Sequence, residues 1–265
     1  MFKVSCVQFT SGKDVKENLK KILNIILECI KERSDLIITP ECTSIMSSDK
    51  KELLSKLNVM EDDIFLKEFK RVCKSNRKWI ILGSIIVKIS KDTLVNRSML
   101  INPNGEIEKF YDKIHMFDVR LSNSENYNES KLFQAGTEIE TIDLPWGRLG
   151  MSICYDVRFP SMYRKMSQSG AKFFSVPSAF TEVTGKKHWH ALLRARAIEN
   201  FCYVFAPAQV GIHSNGRRTY GHSLIISPDG KILGEMKKGE GYISARIDTH
   251  LSYNLREKIP SLNSD

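Results

Sequence analysis

Arg148-Leu149-Gly150-Met151-Ser152-Ile153-Cys154-Tyr155-Asp156-Val157-Arg158-Phe159-Pro160 is the stretch on which the reading of this chain turns. The apolar run 149–153, broken only by Gly150 and Ser152, has the length and composition of a buried strand. It ends on Cys154, and a polar segment leads into a helical pattern over 161–168. A thiol at a strand-to-helix elbow is presented by a tight turn. It also sits near the positive end of the following helix, which favours thiolate over thiol. The competing reading is a small buried hydrophobe, the usual role of a free cysteine.

Working outward from the elbow, the same alternation recurs on both sides. Towards the N-terminus lie a strand at the start of the chain, then a helix capped by Asp14 with Val15, Leu19, Ile22, Leu23, Ile26 and Ile30 on one face. A buried strand over 35–39 follows, ended by Pro40 with Glu41 directly after it. In open α/β sheets the carboxyl ends of strands are where ligand-contacting groups sit. A polar stretch to about 58, a second amphipathic helix and the strong strand 79–87 come next. The pair 98–101 and 107–111 turns on Asn102-Pro103-Asn104-Gly105, which is hairpin chemistry. Lys113 follows the second of these strands, and the segment 121–136 is polar and long enough to be a functional loop.

Strands over 139–144 and 148–153 flank Pro145-Trp146-Gly147. Beyond the elbow come a strand over 171–176, a helix over 188–200, a strand over 201–209, and a hairpin of 223–226 with 231–236 about Pro228-Asp229-Gly230. A last strand over 241–247 leads to a polar tail. Each half reads strand, helix, strand ending in a polar residue, helix, strand, then a hairpin about an Asn-Gly or Asp-Gly turn. This implies an α/β fold with two sheets packed together and helices outside. No linker interrupts it, so residues 1–265 read as a single domain.

Composition narrows the class. With 265 residues, 42% hydrophobic and 27% charged, the chain can bury a large core, and no apolar run approaches the roughly 18 residues that span a bilayer. The start lacks the features of a signal peptide and reads as an immediate strand. The six cysteines are scattered without a CxxC pair, which implies reduced thiols in a cytosol and neither a disulfide frame nor a zinc site. The net charge of +9 is spread along the whole chain with no nucleic-acid-reading motif, so it reads as solvated surface and no nucleic-acid or membrane partner is expected.

Glu41, Lys113 and Cys154 therefore stand at the ends of three separate predicted strands. Singly, Glu41 is equally a capping carboxylate and Lys113 a surface lysine. Together they are a chemical set: a thiol needs a base, a carboxylate in a dry pocket has its pKa raised towards neutrality, and an acyl-transfer oxyanion needs a cation.

Thr39-Pro40-Glu41, Tyr111-Asp112-Lys113-Ile114-His115 and the glycine-to-proline segment around Cys154 occur in this order. On these motifs the chain resembles the nitrilase superfamily of carbon–nitrogen hydrolases over essentially its entire length. The resemblance implies an α-β-β-α four-layer sandwich that forms a homodimer or higher homo-oligomer. It implies Glu41 as general base, Lys113 as oxyanion-stabilising cation, Cys154 as nucleophile, Glu129 as a second glutamate that positions Lys113 or the base, and the Tyr155 N–H as second oxyanion donor. No metal or organic cofactor is implied.

Further segments resemble the amidase branch that includes deaminated-glutathione amidase and omega-amidase. These are Pro177-Ser178-Ala179-Phe180, Thr184-Gly185 with His188-Trp189, the run Leu193-Arg194-Ala195-Arg196-Ala197-Ile198-Glu199-Asn200, and Tyr220-Gly221-His222-Ser223. Substrates of that branch carry a 2-oxo-acid carboxylate, and the resemblance assigns its recognition to Arg158, helped by Phe180 and Thr184. The alternative for Arg158 is an ion pair with Asp156 or another carboxylate. Asp112 stands where the family has arginine, and Lys186-Lys187 replaces Pro-Ala. Those lysines either suit a multiply anionic substrate or are plain surface. The 121–127 loop also departs from the branch's form and puts pocket size in question.

His115 as a protease-like base is disfavoured, because Glu41 fills that role and no orienting carboxylate is apparent. His188 and His190, two apart, do not share a helix face, so a metal site is not expected. The leading function is a thiol amidase forming a thioester from a small 2-oxo-acid amide such as deaminated glutathione. The alternatives are an omega-amidase acting on 2-oxoglutaramate, an N-carbamoyl-amine hydrolase, and a silent binding homologue.

Overall fold

The computed structural model describes residues 1–121 and 125–263. Part of the expected 121–127 loop therefore lies outside the described residues. The first half runs β1 (Phe2–Phe9), α1 (Val15–Lys31), β2 (Leu36–Ile38), α2 (Lys50–Lys56), α3 (Ile64–Asn76), β3 (Trp79–Lys88), β4 (Leu94–Ile101) and β5 (Ile107–Asp112), then a short pair, β6 (Asp118–Arg120) and β7 (Asn126–Asn128). The second runs β8 (Thr141–Leu144), β9 (Gly147–Met151), α4 (Pro160–Gln168), β10 (Phe173–Ser175), α5 (Glu182–Asn200), β11 (Tyr203–Ala206), β12 (Ala208–Ile212), β13 (Arg218–Tyr220), β14 (Ser223–Ile226), β15 (Ile232–Met236), β16 (Gly241–Ile247) and α6 (Leu251–Lys258).

One sheet has the order β13-β12-β1-β2-β3-β4-β5, with β16 antiparallel to β1, and the other has the order β15-β14-β11-β10-β9-β8. Alternation along the strands assigns the layers. Leu36 and Ile38 of β2 pack with Phe173 and Phe205 of the second sheet, while Ile37 between them packs with Ile22, Ile26 and Phe69 of α1 and α3. On its far side the second sheet meets α4 and α5 through Tyr163, Met166, Trp189 and Leu193. Helices, sheet, sheet, helices: this is the expected α-β-β-α sandwich.

Local chemistry accounts for what was legible. Asp14 caps α1, its Oδ1 accepting from the Glu17 N–H at 3.0 Å. Two elements differ from expectation. The apolar run 201–209 is not one strand: Ala206 pairs with Leu224 in one sheet and Ala208 with Gln8 in the other. Pro207 between them has no N–H to donate to a ladder, so the chain changes sheets there. Helix α5 begins at Glu182, not 188, capped by Thr181, and carries Gly185 in its first turns. A Cβ on Gly185 would lie 2.4 Å from Tyr220 Cβ, so this glycine admits the Tyr220 ring against the helix. Helices α2 and α6 and the strand pair β6–β7 occupy segments read as polar connections or tail.

Candidate active site

Two sheets bring three strand ends together. Glu41 follows β2, and its position depends on how closely β3 passes. A Cβ on Gly83 would sit 1.6 Å from the Thr39 carbonyl oxygen, so only glycine allows the approach. The β3–β4 register shifts at this point, and Ser84 N–H donates to Pro40 O at 3.1 Å while Ser84 Oγ accepts from Cys42 N–H at 2.9 Å. Lys113 follows β5, its N–H bonded to Asn96 O of β4 at 3.0 Å. Cys154 follows β9 in the left-handed region, φ +50°, with its N–H on Pro177 O at 2.9 Å.

The elbow is braced by Asp156, which is fully buried. Its Oδ2 accepts from Tyr111 Oη at 2.7 Å and from Ile153 N–H at 2.7 Å. Its Oδ1 accepts from His115 N–H at 3.1 Å and lies 2.7 Å from His115 Nδ1. Asp156 is thus engaged by β5 and the segment after it, and among the described residues Arg158 forms no ion pair with it. His115 does have a carboxylate orienter, contrary to the sequence reading. It is stacked on Phe159 at 3.5 Å and does not line the cavity described below.

Glu41, Lys113 and Cys154 are 3%, 1% and 5% exposed, so their interactions are not screened by water. Lys113 Nζ donates to Glu41 Oε1 at 2.8 Å and to both Glu129 oxygens at 2.9 and 2.8 Å. Asn96 Nδ2 bridges the two glutamates, at 3.0 Å to Glu41 Oε1 and 3.3 Å to Glu129 Oε1. Glu41 Oε2 accepts from Ala179 N–H at 2.7 Å, and Glu129 Oε2 from Phe117 N–H at 2.7 Å. The Cys154 thiol lies within reach of the Glu41 charge.

Two electrostatic expectations are reversed. Burial pushes the Glu41 carboxyl up, but the Lys113 and Arg217 cations outweigh it and hold the group below its ordinary value. Burial, then the Glu41 charge, push the Cys154 thiol up, against the opposing pull of Lys113 and Arg217. The resting pair is therefore thiol and carboxylate, and the helix-end effect does not produce a thiolate. For Lys113, burial opposes the charge, and Glu129 and Glu41 more than restore it.

Arg217 had no signal in the sequence, because it lies in a loop between β12 and β13 that reads as surface. Its Nη2 donates to Ala179 O, its guanidinium lies 5.2 Å over the Tyr127 ring, and its buried Nε has no hydrogen-bond partner among the described residues. Asn96, buried in the middle of β4, was likewise missed.

These groups form the floor of a cavity of about 650 Å³, walled by Phe117, Tyr127, Tyr155, Phe180, Thr184 and Arg217. Phe180, Thr184 and Tyr155 line it. Arg158 is not in the lining. It stands behind it, 5.3 Å over the Phe180 ring and 5.9 Å over that of Tyr155, with Nη2 3.2 Å from His188 Nδ1. Lys186 and Lys187 are exposed, and Lys186 pairs with Glu182 at 2.7 Å. Asp112 is held by Arg97 at 2.7 and 2.8 Å, which neutralises the charge that replaces the family's arginine. His188 and His190 point to different partners: His190 is set beside His222 and Glu235.

A model of the carbon–nitrogen hydrolase family matches residues 3–257. The chain is 36% identical to the deaminated glutathione amidase of Yersinia enterocolitica over 98% of its own length and 91% of the relative's. It is 38% identical to that of Dictyostelium discoideum, covering 97% and 91% respectively. The solved structure of Saccharomyces cerevisiae Nit3, a member of branch 10 of the nitrilase superfamily, superposes with a TM-score of 0.87 at 28% identity, covering 98% of this chain and 94% of that one. The chain belongs to the carbon–nitrogen hydrolase family of the nitrilase superfamily, and is a hydrolase of non-peptide carbon–nitrogen bonds.

Proposed function

We propose that the protein is a cysteine-dependent amidase that cleaves a small 2-oxo-acid amide through a thioester, with deaminated glutathione as its substrate. The observation that carries this is the buried set of Cys154, Glu41, Lys113 and Glu129 on the floor of one cavity, with Arg217 in its wall. The names of the relatives support the choice of substrate.

Glu41 takes the Sγ proton as Cys154 adds to the amide carbonyl. The oxyanion is held by Lys113 and the Tyr155 N–H. Glu129 and Asn96 act as positioning residues, keeping Lys113 and Glu41 in register. Protonated Glu41 passes its proton to the departing nitrogen, the C–N bond breaks and a thioester remains. Water then gives a proton to Glu41 and adds to the thioester. Collapse releases the carboxylic acid, and Glu41 returns the proton to the sulfur. Because the thiol rests protonated, transfer to Glu41 accompanies attack instead of preceding it.

Arg217 supplies the anion contact that the sequence assigned to Arg158: it lines the cavity, whereas Arg158 is engaged by His188 and two rings. The resemblance supports a single-domain subunit acting as a homodimer. The six free cysteines accord with a reducing, cytoplasmic setting.

Deaminated glutathione and 2-oxoglutaramate, offered side by side to wild type, test the substrate. Preference for the first is expected, and preference for the second would make the enzyme an omega-amidase. Arg217→Ala is expected to raise KM for either anionic amide by roughly 10- to 100-fold, the worth of a charge-assisted hydrogen bond, with Arg217→Lys intermediate. An unchanged KM would remove Arg217 from recognition.

The pKa directions set the pH profile. A carboxylate with a lowered pKa stays in its basic form until pH falls through that lowered value, so the acid limb of kcat/KM should lie below the ordinary Glu value of about 4.3. The thiol is raised, so alkylation of Cys154 by iodoacetamide should keep climbing with pH through neutrality. A plateau between about pH 6 and 8 would mean a resting thiolate and contradict the proton assignment.

A further inference from the structure

We propose that His190, His222 and Glu235 form a binding site for a divalent transition-metal ion of the zinc and cobalt class, separate from the amidase cavity. The three side chains come from three elements: His190 from α5, His222 from the link between β13 and β14, and Glu235 from β15. His190 Nε2 lies 3.0 Å and His222 Nδ1 2.7 Å from the same Glu235 Oε1, and the three ligand atoms all lie within 4.8 Å of one another.

An ion held at about 2.0–2.1 Å from imidazole nitrogen and carboxylate oxygen in tetrahedral geometry keeps its ligand atoms roughly 3 Å apart. Two of the three separations already meet this, and modest rotation of the imidazoles closes the third. Two imidazoles with one carboxylate is a donor set for borderline ions, not for calcium or magnesium, which take oxygen ligands.

The scaffold is built before any ion arrives. His222 has φ +55°, and its carbonyl accepts from Trp189 Nε1 at 2.8 Å. Its ring is stacked 4.1 Å from Tyr220 and stands 5.4 Å from the His190 ring at 74°. The side chains of His190, His222 and Glu235 are 32%, 19% and 21% exposed, so an ion can enter and keep water in its remaining positions. None of the three lines the amidase cavity. A bound ion clamps the middle of α5 to β15, and the start of α5 carries the cavity residue Thr184.

The competing explanation is a purely hydrogen-bonded cluster in which Glu235 accepts from both rings. Cobalt(II) titration of untagged, chelator-treated protein separates the two, because visible absorption reports nitrogen and oxygen ligands and a near-ultraviolet band reports thiolate. Wild type is expected to bind one equivalent with no thiolate band, and to melt at a higher temperature with the ion than without. His190→Gln keeps a donor to Glu235 but loses the imidazole, and His190→Ala loses both. Each is expected to bind on the order of 100-fold more weakly, while amide hydrolysis stays at the wild-type level and shows that the variant is folded. No binding by wild type, binding unchanged in His190→Gln and Glu235→Gln, or a thiolate band overturns the proposal.

Discussion

Cys154→Ala is expected to lower kcat/KM for deaminated glutathione by on the order of 10⁴-fold or more, while leaving the unfolding midpoint close to wild type. The loss follows from the proposed covalent step, in which Cys154 carries the acyl chain. The stability expectation follows from the backbone. Cysteine at φ +50° already carries the cost of a left-handed conformation, alanine carries the same cost, and the N–H bond to Pro177 O persists. Glu41→Gln is the instructive companion. Removing the base costs on the order of 10²- to 10⁴-fold, but the carboxamide also fits badly. One Glu41 oxygen accepts from Lys113 and Asn96 and the other from Ala179 N–H, so an amide NH₂ must meet a donor at one end. This variant should therefore lose about 1–3 kcal/mol of stability as well. Steady-state kinetics and urea melts on both proteins read the pattern. Hydrolysis by Cys154→Ala within tenfold of wild type would discard Cys154 as nucleophile.

Asp156→Ala is expected to destabilise the protein by roughly 3–5 kcal/mol, the effect of taking one partner from a buried, fully used carboxylate. Tyr111 Oη, Ile153 N–H and His115 N–H would all lose their acceptor in a place that water does not reach. The consequence reaches the chemistry, because these bonds hold the turn that carries Cys154 to the segment that carries Lys113. Asp156→Asn should cost less, since its oxygen still takes one pair of donors. Urea denaturation gives the ordering Ala, Asn, wild type. If Asp156→Ala melts with wild type, the elbow is held by something else and the brace assigned here is wrong.

Much of this molecule was legible because the relevant physics is local. Apolar alternation, the Asp14 cap, and the Asn-Gly and Asp-Gly turns depend on neighbours a few residues apart, and they suffice to put Glu41, Lys113 and Cys154 at strand ends. Where local signals were ambiguous, the reading slipped. The 201–209 run is apolar throughout and hides a change of sheet at Pro207. The start of α5 was masked by Gly185, which is unfavourable in a helix but fits against Tyr220. Arg158, next to the elbow in sequence, was credited with a task for which its guanidinium does not face the cavity.

By itself the sequence carried the α/β pattern of two packed sheets with helices outside, and its short motifs carried the resemblance to the family and the choice of Glu41, Lys113 and Cys154 as one set. Only the tertiary structure decided the charge state of that set. Lys113 and Arg217 together hold the Glu41 carboxyl below its ordinary value, burial and then the Glu41 charge push the Cys154 thiol up, and His190 meets His222 and Glu235. Electrostatic and ligand-forming interactions act across space between residues far apart in the chain, and their strength is set by distance and burial, which no local pattern of residues encodes.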